Sequence, residues 1–333
     1  MEWKGKNIAL TGATGFIGAW LANSLLDEGA NITLLMRKNS PRGLIRFKGR
    51  ENSIKVLYGD VRDPDAMKGL VNGQDALFHL AAITQVLYSK THPVDTFNID
   101  ANGTLNILEA LRKSARPPFL LFVSTDKVYG EPKYVPIDED CPVSSKSPYD
   151  AAKLAADRLV NSYNISYGLK SSIVRMSNII GGGDANILRA VPDFILNVLS
   201  NKAPVIRGNG KHIRDYLYVK DAVAGIKLVA EKQNKSNGEV FNLGTGKPTS
   251  VIQLANMVIA IADRPKKIKP ILLKGDTLGE IDKQYISSGK IRRVLGWKPA
   301  YTLKEALKET LEWYDANPEW ISVVERVNKY YSV

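Results

Sequence analysis

The stretch TGATGFIG, from Thr11 to Gly18, follows a short apolar segment, Lys6 to Leu10, and precedes a helical pattern of apolar residues. A strand, a glycine-rich turn and a helix in this order form the context that a dinucleotide-binding fingerprint requires. The glycines allow the backbone to come close to a pyrophosphate, and free N–H groups at the helix start can meet its charge. The stretch therefore predicts a Rossmann-type fold around a dinucleotide cofactor.

Apolar strand patterns and helical patterns alternate after this stretch. The further predicted strands are Asn31 to Met36, Ile54 to Tyr58, Ala76 to Leu80, Phe119 to Val123 and Ser171 to Met176, and the longest predicted helices cover Pro93 to Lys113 and Pro148 to Tyr167. This strict alternation predicts an α/β fold with a doubly wound parallel sheet.

The second half of the chain is less regular. We expect residues 1–178 to form the dinucleotide-binding Rossmann domain and residues 179–333 to form a smaller mixed α/β substrate lobe. The two parts are expected to be interleaved, with segments near residues 215–245 returning to the Rossmann part. The stretch Ile206 to Lys211 predicts a hairpin turn, and Arg214 to Val219 predicts a strand.

The ends of three strands predict contacts with the cofactor. The second strand is followed by Arg37 and Ser40, where an NAD-selective protein usually has an acidic residue for the ribose diol, and a cation there suits a 2′-phosphate. We therefore predict NADP as the cofactor, with NAD as the alternative. Asp60 can face an adenine amino group, and the small residues Ala81 and Ala82 would let a cofactor lie across the strand end.

The strongest candidates for chemistry follow the fifth strand and open the next long helix. The apolar run Phe119 to Val123 changes to Ser-Thr-Asp-Lys at residues 124–127, at the sheet edge where ligands bind in open α/β sheets. The same residue types also favour turns and helix caps. Tyr149 and Lys153 share one helical face, and a cation beside a phenol lowers the phenol's pKa, which would make it a base near neutral pH. Such pairs are also common on helix surfaces.

Composition excludes several classes of protein. The single cysteine and the three histidines, which lie far apart in sequence, do not form a metal-ligand pattern, so no metal is expected. No apolar run is long enough to cross a bilayer and no signal-peptide pattern is present, which predicts a cytoplasmic protein without a membrane partner. The net charge is +12, but the basic residues are scattered without interleaved aromatics, so we expect no nucleic-acid partner.

The motifs together resemble an extended short-chain dehydrogenase/reductase that acts on nucleotide sugars, over essentially the whole chain. The resemblance implies that Tyr149 is the base, that Lys153 lowers its pKa and holds the nicotinamide ribose, and that Thr125 completes the triad. The residues it assigns to the cofactor are Gly12, Thr14, Gly15, Phe16, Ile17, Gly18, Arg37, Ser40, Asp60, Val61, Leu80, Ala81, Ala82 and Asn98, together with Tyr149 and Lys153.

Within this family, Asp126 and Lys127 after the triad threonine resemble the acid/base couple of nucleotide-sugar 4,6-dehydratases. The strings STDKVYG at 124–130 and NIIGGGD at 178–184 are most similar to CDP-glucose 4,6-dehydratase. The resemblance implies a nucleotide-sugar substrate gripped by Asn178, Arg214 and Arg189, and a homodimer. A 4-epimerase or reductase of the same family and a catalytically silent NADP-binding regulator remain alternatives.

Overall fold

The computed structural model describes residues 2–43, 45–263, 268–273 and 281–331. The helices are α1 Phe16–Asp27, α2 Pro64–Val71, α3 Val86–Thr91, α4 Pro93–Phe97, α5 Gly103–Lys113, α6 Pro148–Tyr167, α7 Ala190–Leu199, α8 Val219–Glu231, α9 Gln233–Ser236, α10 Val251–Ala262, α11 Gly289–Leu295, α12 Leu303–Ala316 and α13 Trp320–Tyr330. The strands are β1 Asn7–Thr11, β2 Asn31–Met36, β3 Ile54–Tyr58, β4 Ala76–His79, β5 Phe119–Thr125, β6 Ser171–Met176, β7 Asn178–Ile180, β8 Val205–Arg207, β9 Ile213–Arg214, β10 Tyr216–Tyr218, β11 Val240–Leu243, β12 Thr249–Ser250, β13 Ile271–Leu273 and β14 Lys283–Gln284.

The central sheet has seven parallel strands in the order β11-β6-β5-β4-β1-β2-β3. The chain moves outward from β1 through β2 to β3, then crosses to β4 on the other side of β1. A crevice therefore opens beyond the carboxyl ends of β1 and β4, where the strand order reverses and where ligands bind in doubly wound sheets. This is the predicted Rossmann-type sheet.

Strand β5 is buried on both faces of the sheet, because helices cover each face. Successive residues of a strand point to opposite faces. Leu120 and Phe122 pack with the apolar sides of α2, α5 and α6 on one face, whereas Leu121 and Val123 pack with those of α1 and α8 on the other. Burial on both faces requires the continuous apolar run that the sequence shows.

Small sheets make up the C-terminal lobe, and here two predictions were wrong in detail. No hairpin forms around residues 206–211, because β8 pairs in parallel with β13. The predicted strand at 214–219 is divided at Asp215 into β9 and β10, which belong to different sheets. The buried Asp215 carboxylate accepts hydrogen bonds from the backbone N–H groups of Thr245 and Gly246, so it faces a turn and interrupts the ladder.

Two properties of the described residues concern partners outside the chain. None of the helices in the described ranges is both long and apolar enough to cross a membrane. Within the same ranges, no three His, Cys, Asp or Glu side chains come together as a metal-ion site.

Candidate active site

A cavity of about 1000 Å³ occupies the crevice at the carboxyl edge of the sheet. Its size is at the upper end of the range for small-molecule sites, which is about 300–1000 Å³. The lining includes every residue predicted from the sequence for cofactor, catalysis or substrate, with the exception of Asn98. It also includes residues that were not predicted, among them Gln284 from β14.

The glycine-rich turn forms one end of the cavity, with space that side chains would fill. Gly12 has φ +72°, and a Cβ there would lie 2.6 Å from the carbonyl carbon of Leu80. A Cβ on Gly18 would lie 2.3 Å from the oxygen of Gly12. Gly15 is the N-cap of α1, and none of the described side chains caps this helix start, so its N–H groups remain for an anion. These features fit the pyrophosphate of a dinucleotide.

The neighbouring wall of the cavity has the residues predicted for the adenosine end. Ser40 Oγ donates to Thr14 Oγ1 at 3.3 Å. Arg37 donates from Nη1 to the Tyr330 hydroxyl on α13 at 3.1 Å, and its guanidinium lies 5.5 Å from the centre of that ring. The C-terminal helix therefore reaches the end of β2, a contact that sequence reasoning missed.

Asp60 stands beside this group and is held by Arg62. The Arg62 guanidinium donates to both carboxylate oxygens at 3.0 and 3.1 Å, and the Arg62 backbone N–H donates to Oδ1 at 2.9 Å. Burial opposes ionisation of Asp60, but these hydrogen bonds outweigh it and lower its pKa. Asp60 is therefore a fixed anion at the cavity rim.

Tyr149 and Lys153 face the cavity from the first turns of α6. Ser147 and Asp150 form a reciprocal capping box that fixes this helix start. Lys153 Nζ donates to the backbone oxygen of Val123 at 2.9 Å, and the Thr125 hydroxyl lies close enough to Tyr149 to lower its pKa. Thr125, Tyr149 and Lys153 are thus brought together at the end of β5.

The electrostatics of Tyr149 differ from the prediction. Burial, followed by the nearby carboxyl group of Asp100, raises the pKa of Tyr149 above its ordinary value. Lys153 was expected to lower this pKa, but its ammonium is directed at Val123, and burial lowers the pKa of Lys153 itself. The positive charge of Arg189 and the Thr125 hydroxyl oppose this increase, but the net shift of the Tyr149 pKa is upward.

Asp126 and Lys127 begin the short 3-10 turn Asp126–Tyr129 directly after β5. Lys127 Nζ lies 3.5 Å from Asp126 Oδ1 and donates to Gln284 Oε1. Burial lowers the pKa of Lys127, the carboxylate of Asp126 opposes this shift, and Arg214 adds to it. Burial and the positive charge of Arg214 thus both favour the neutral amine of Lys127.

Asn98 is the predicted cofactor residue that does not line the cavity, and Asp100, two residues later, is buried and does not line it either. The helix predicted over residues 93–113 contains a π-helical turn, Asn98–Asn102, which changes the direction of its side chains. Asn98 Oδ1 accepts a hydrogen bond from Asn102, and Asn98 does not line the cavity. Asp100 is buried, accepts from the Ile83 N–H at 2.8 Å, and has a pKa raised to about 7 by burial, although Lys153 opposes this.

The predicted substrate residues lie toward the C-terminal lobe, and each already has protein partners. Asn178 Nδ2 donates to the backbone oxygen of Asp215 at 3.2 Å. Arg189 pairs with Asp184 at 3.1 Å, and Arg214 donates to the backbone oxygen of Ile281 at 2.7 Å. All three line the cavity.

Four buried polar atoms on or close to this cavity have no hydrogen-bond partner among the described residues: Arg42 Nε, Asp100 Oδ2, Asp126 Oδ2 and Ser177 Oγ. Leaving a buried polar group unpaired costs about 1–3 kcal/mol. Arg42, Asp126 and Ser177 belong to residues that line the cavity directly. The site therefore fits a polar ligand that offers both hydrogen-bond donors and acceptors.

Comparison with known proteins identifies the family. The family model described as GDP-mannose 4,6 dehydratase matches residues 10–310. The chain belongs to this family of nucleotide-sugar dehydratases and epimerases. A Methanocaldococcus jannaschii protein provisionally named a UDP-glucose 4-epimerase is 33% identical over 93% of this chain and 99% of its own. The dTDP-glucose 4,6-dehydratase 1 of Escherichia coli is 31% identical over 95% of each chain.

A solved structure of a family member also contains a cofactor. The dTDP-glucose 4,6-dehydratase of Bacillus anthracis, determined in complex with NAD, is 25% identical and matches with a TM-score of 0.84 over 95% of this chain and 98% of its own. The expectation of an extended short-chain dehydrogenase/reductase that acts on nucleotide sugars is therefore confirmed at the level of the family.

Proposed function

We propose that the protein is a nucleotide-sugar 4,6-dehydratase, which converts an NDP-hexose to the NDP-4-keto-6-deoxyhexose. The observation that carries this proposal is the pair of Asp126 and Lys127, 3.5 Å apart in the cavity that also holds Thr125 and Tyr149. Both ionisable residues needed for an elimination thus stand beside the residues needed for an oxidation. CDP-glucose is the favoured substrate, and this choice rests on the sequence strings at 124–130 and 178–184 alone.

The oxidation is assigned to Tyr149, Thr125 and Lys153. Tyr149 takes the proton of the C4 hydroxyl while Thr125 holds the phenolic oxygen by a hydrogen bond. A bound nicotinamide dinucleotide would supply a positively charged ring and the hydride acceptor for C4, and would return the hydride to C6. Such a positive charge would stabilise the phenolate of Tyr149, whose pKa burial raises.

The elimination is assigned to Lys127 and Asp126. The C5 proton of a hexose becomes acidic once C4 is a ketone, because it then lies alpha to a carbonyl. Lys127 removes this proton as a neutral amine, which its lowered pKa favours, and returns a proton to C5 when hydride is added at C6. Asp126 gives a proton to the C6 hydroxyl, which departs as water, and its Oδ2 has no hydrogen-bond partner among the described residues.

We further propose NADP as the cofactor, with NAD as the alternative. Arg37, rather than an acidic residue, follows β2 on the cavity wall, and Ser40 lies next to it with Thr14 as a neighbour. The Bacillus anthracis relative was determined with NAD. Dissociation constants for both cofactors decide the matter, and tighter or equal binding of NAD would reject the proposal.

A 4-epimerase is the second candidate, since several relatives are named as 4-epimerases. The discriminating experiment incubates the purified protein with CDP-, dTDP-, UDP- and GDP-hexoses and identifies the products. We expect a 4-keto-6-deoxy sugar, visible by its enone-type absorbance in base. A product with inverted C4 and an intact C6 hydroxyl would instead establish the epimerase.

We also propose a homodimer that buries the faces of α4 and α6. Val94 on α4 and Ile165 on α6 are 71% and 74% exposed, so each of these helices presents a large apolar side chain that a partner subunit could cover. Light scattering on the wild type and on Val94→Asp tests this assignment. We expect a dimer that dissociates in the variant, and a monomeric wild type would contradict it.

A further inference from the structure

Gln284 joins the C-terminal lobe to the pair that follows β5. It is fully buried, and its carboxamide makes two contacts with residues 126 and 127. Gln284 Nε2 donates to the backbone oxygen of Asp126 at 3.1 Å, and Gln284 Oε1 accepts from Lys127 Nζ. A neutral side chain from another part of the chain therefore holds the end of Lys127.

The first contact fixes the direction of the second. An amide has donors only on its nitrogen and acceptor sites only on its oxygen. Because Nε2 is used by the Asp126 carbonyl, Oε1 is the atom that faces Lys127. Turning the amide over would leave the Asp126 carbonyl facing an oxygen and would point N–H groups at the amine.

A neutral amine has two N–H bonds and one lone pair. One N–H of Lys127 is taken by Gln284 Oε1, and the other is directed at Asp126 Oδ1, 3.5 Å away. The lone pair then points away from both of these partners. Because the Lys127 side chain is 26% exposed and lines the cavity, this direction is toward the cavity. We infer that Gln284 is a positioning residue, which orients the Lys127 amine so that its lone pair faces C5 of the bound sugar. This inference rests on the proposed dehydratase function.

The neutrality of Gln284 matters as much as its position. The charged groups that act on Lys127 are Asp126 beside it, Asp150 on α6 and Arg214 on β9, where Gln284 and Arg214 are partners in the β14–β9 ladder. A carboxylate at position 284 would place a further negative charge against the amine. The ammonium form would then be favoured, and the base would be lost at neutral pH.

Two variants separate position from charge. Gln284→Glu should move the acid limb of the kcat profile upward by about 1–3 pH units, as expected for an added opposite charge within about 4–6 Å. Gln284→Met, of similar size but without polar atoms, should lower kcat about 10–100-fold and change KM less than about twofold, since one positioned acid or base contributes about 10²–10⁴. An acid limb that stays in place in Gln284→Glu would overturn the inference.

A measurement without substrate keeps this test independent of the reaction. Competitive acetylation with acetic anhydride, followed by mass spectrometry of the Lys127 peptide, gives the protonation midpoint of Lys127 in the wild type and in Gln284→Glu. We expect a higher midpoint in the variant, and equal midpoints would reject the contact. If the midpoint rises but no NDP-hexose gives a 4-keto-6-deoxy product, the proposed function and the role in elimination fail, while the contact itself stands.

Discussion

Lys153 and Lys127 face the same cavity, but one is fixed within the sheet and its helices, whereas the other is held by the C-terminal lobe. Lys153 lies one helical turn from Tyr149 and donates to Val123 on β5. Lys127 lies between Asp126 and the distant Gln284. The residues assigned to the proposed oxidation, called the oxidation half below, therefore come from neighbouring elements of one sheet. The proposed elimination half, Asp126 and Lys127, is held in addition by Gln284 from a strand far along the chain.

The sharpest test of this division exchanges each lysine for methionine. Lys127→Met should still bind cofactor and oxidise C4 slowly, but form 4-keto-6-deoxy product about 10²–10⁴-fold more slowly, because only the C5 base is lost. Lys153→Met should lose the oxidation itself. Reduced cofactor at 340 nm in a single turnover and product by mass spectrometry report the two steps separately.

The exposed Lys68, which pairs with Asp65 on α2, gives a matched control. Lys68→Met should leave both steps unchanged. Full dehydration by Lys127→Met would show that the elimination half has another base.

The two halves also differ in how far the sequence predicts them. Tyr149 and Lys153 belong to one short helical segment whose spacing is visible in the sequence, and the strands that carry Thr125 and the glycines follow from unbroken apolar runs. Gln284 lies 157 residues from Lys127. Nothing local marks Gln284, because its partner is determined by the pairing of two-residue strands in the lobe.

Two other features needed the three-dimensional structure. Periodicity places Asn98 and Asp100 on one regular helix, whereas the π-helical turn buries Asp100 and leaves Asn98 outside the cavity. The glycines at 181–183 resemble those of a subfamily, but in the structure they are needed because neighbouring side chains pack directly against the backbone. A Cβ on Gly182 would lie 2.1 Å from Cγ of Trp313 on α12.

Asp100 gives a second test, directed at the oxidation half. Burial raises its pKa from 3.8 to about 7, so the folded protein keeps a proton that the unfolded chain loses above about pH 4. Folding stability from this group is therefore lost as the pH rises from about 4 to 7. Asp100→Asn keeps an acceptor for the Ile83 N–H and removes the penalty, so it should stabilise the protein at pH 8 by roughly 1–3 kcal/mol and little at pH 4.

Urea unfolding at both pH values, at one protein concentration, measures this difference. The exposed Asp65 is a control whose pKa shifts in the opposite direction, because the hydrogen bond from Lys68 lowers it. Asp65→Asn should not stabilise the protein at pH 8. An equal gain at pH 4 and pH 8 for Asp100→Asn would mean that ionisation of Asp100 plays no part.

The smallest expected effect concerns Arg37 at the predicted adenosine end of the cavity. Here Tyr330 on α13 contacts a site residue from far along the chain, as Gln284 does at Lys127. Arg37 is shared between the cavity and Tyr330. If Arg37 contacts a 2′-phosphate, Arg37→Ala should weaken NADP binding about 3–10-fold, which is roughly 1 kcal/mol for one partly exposed cation, and leave NAD binding unchanged.

Tyr330→Phe keeps the ring beside the guanidinium and removes only the hydroxyl acceptor, so NADP binding should stay within about twofold. Equal losses for NAD and NADP in Arg37→Ala would mean that Arg37 holds the helix and not the phosphate, and titrations followed by fluorescence distinguish the two outcomes.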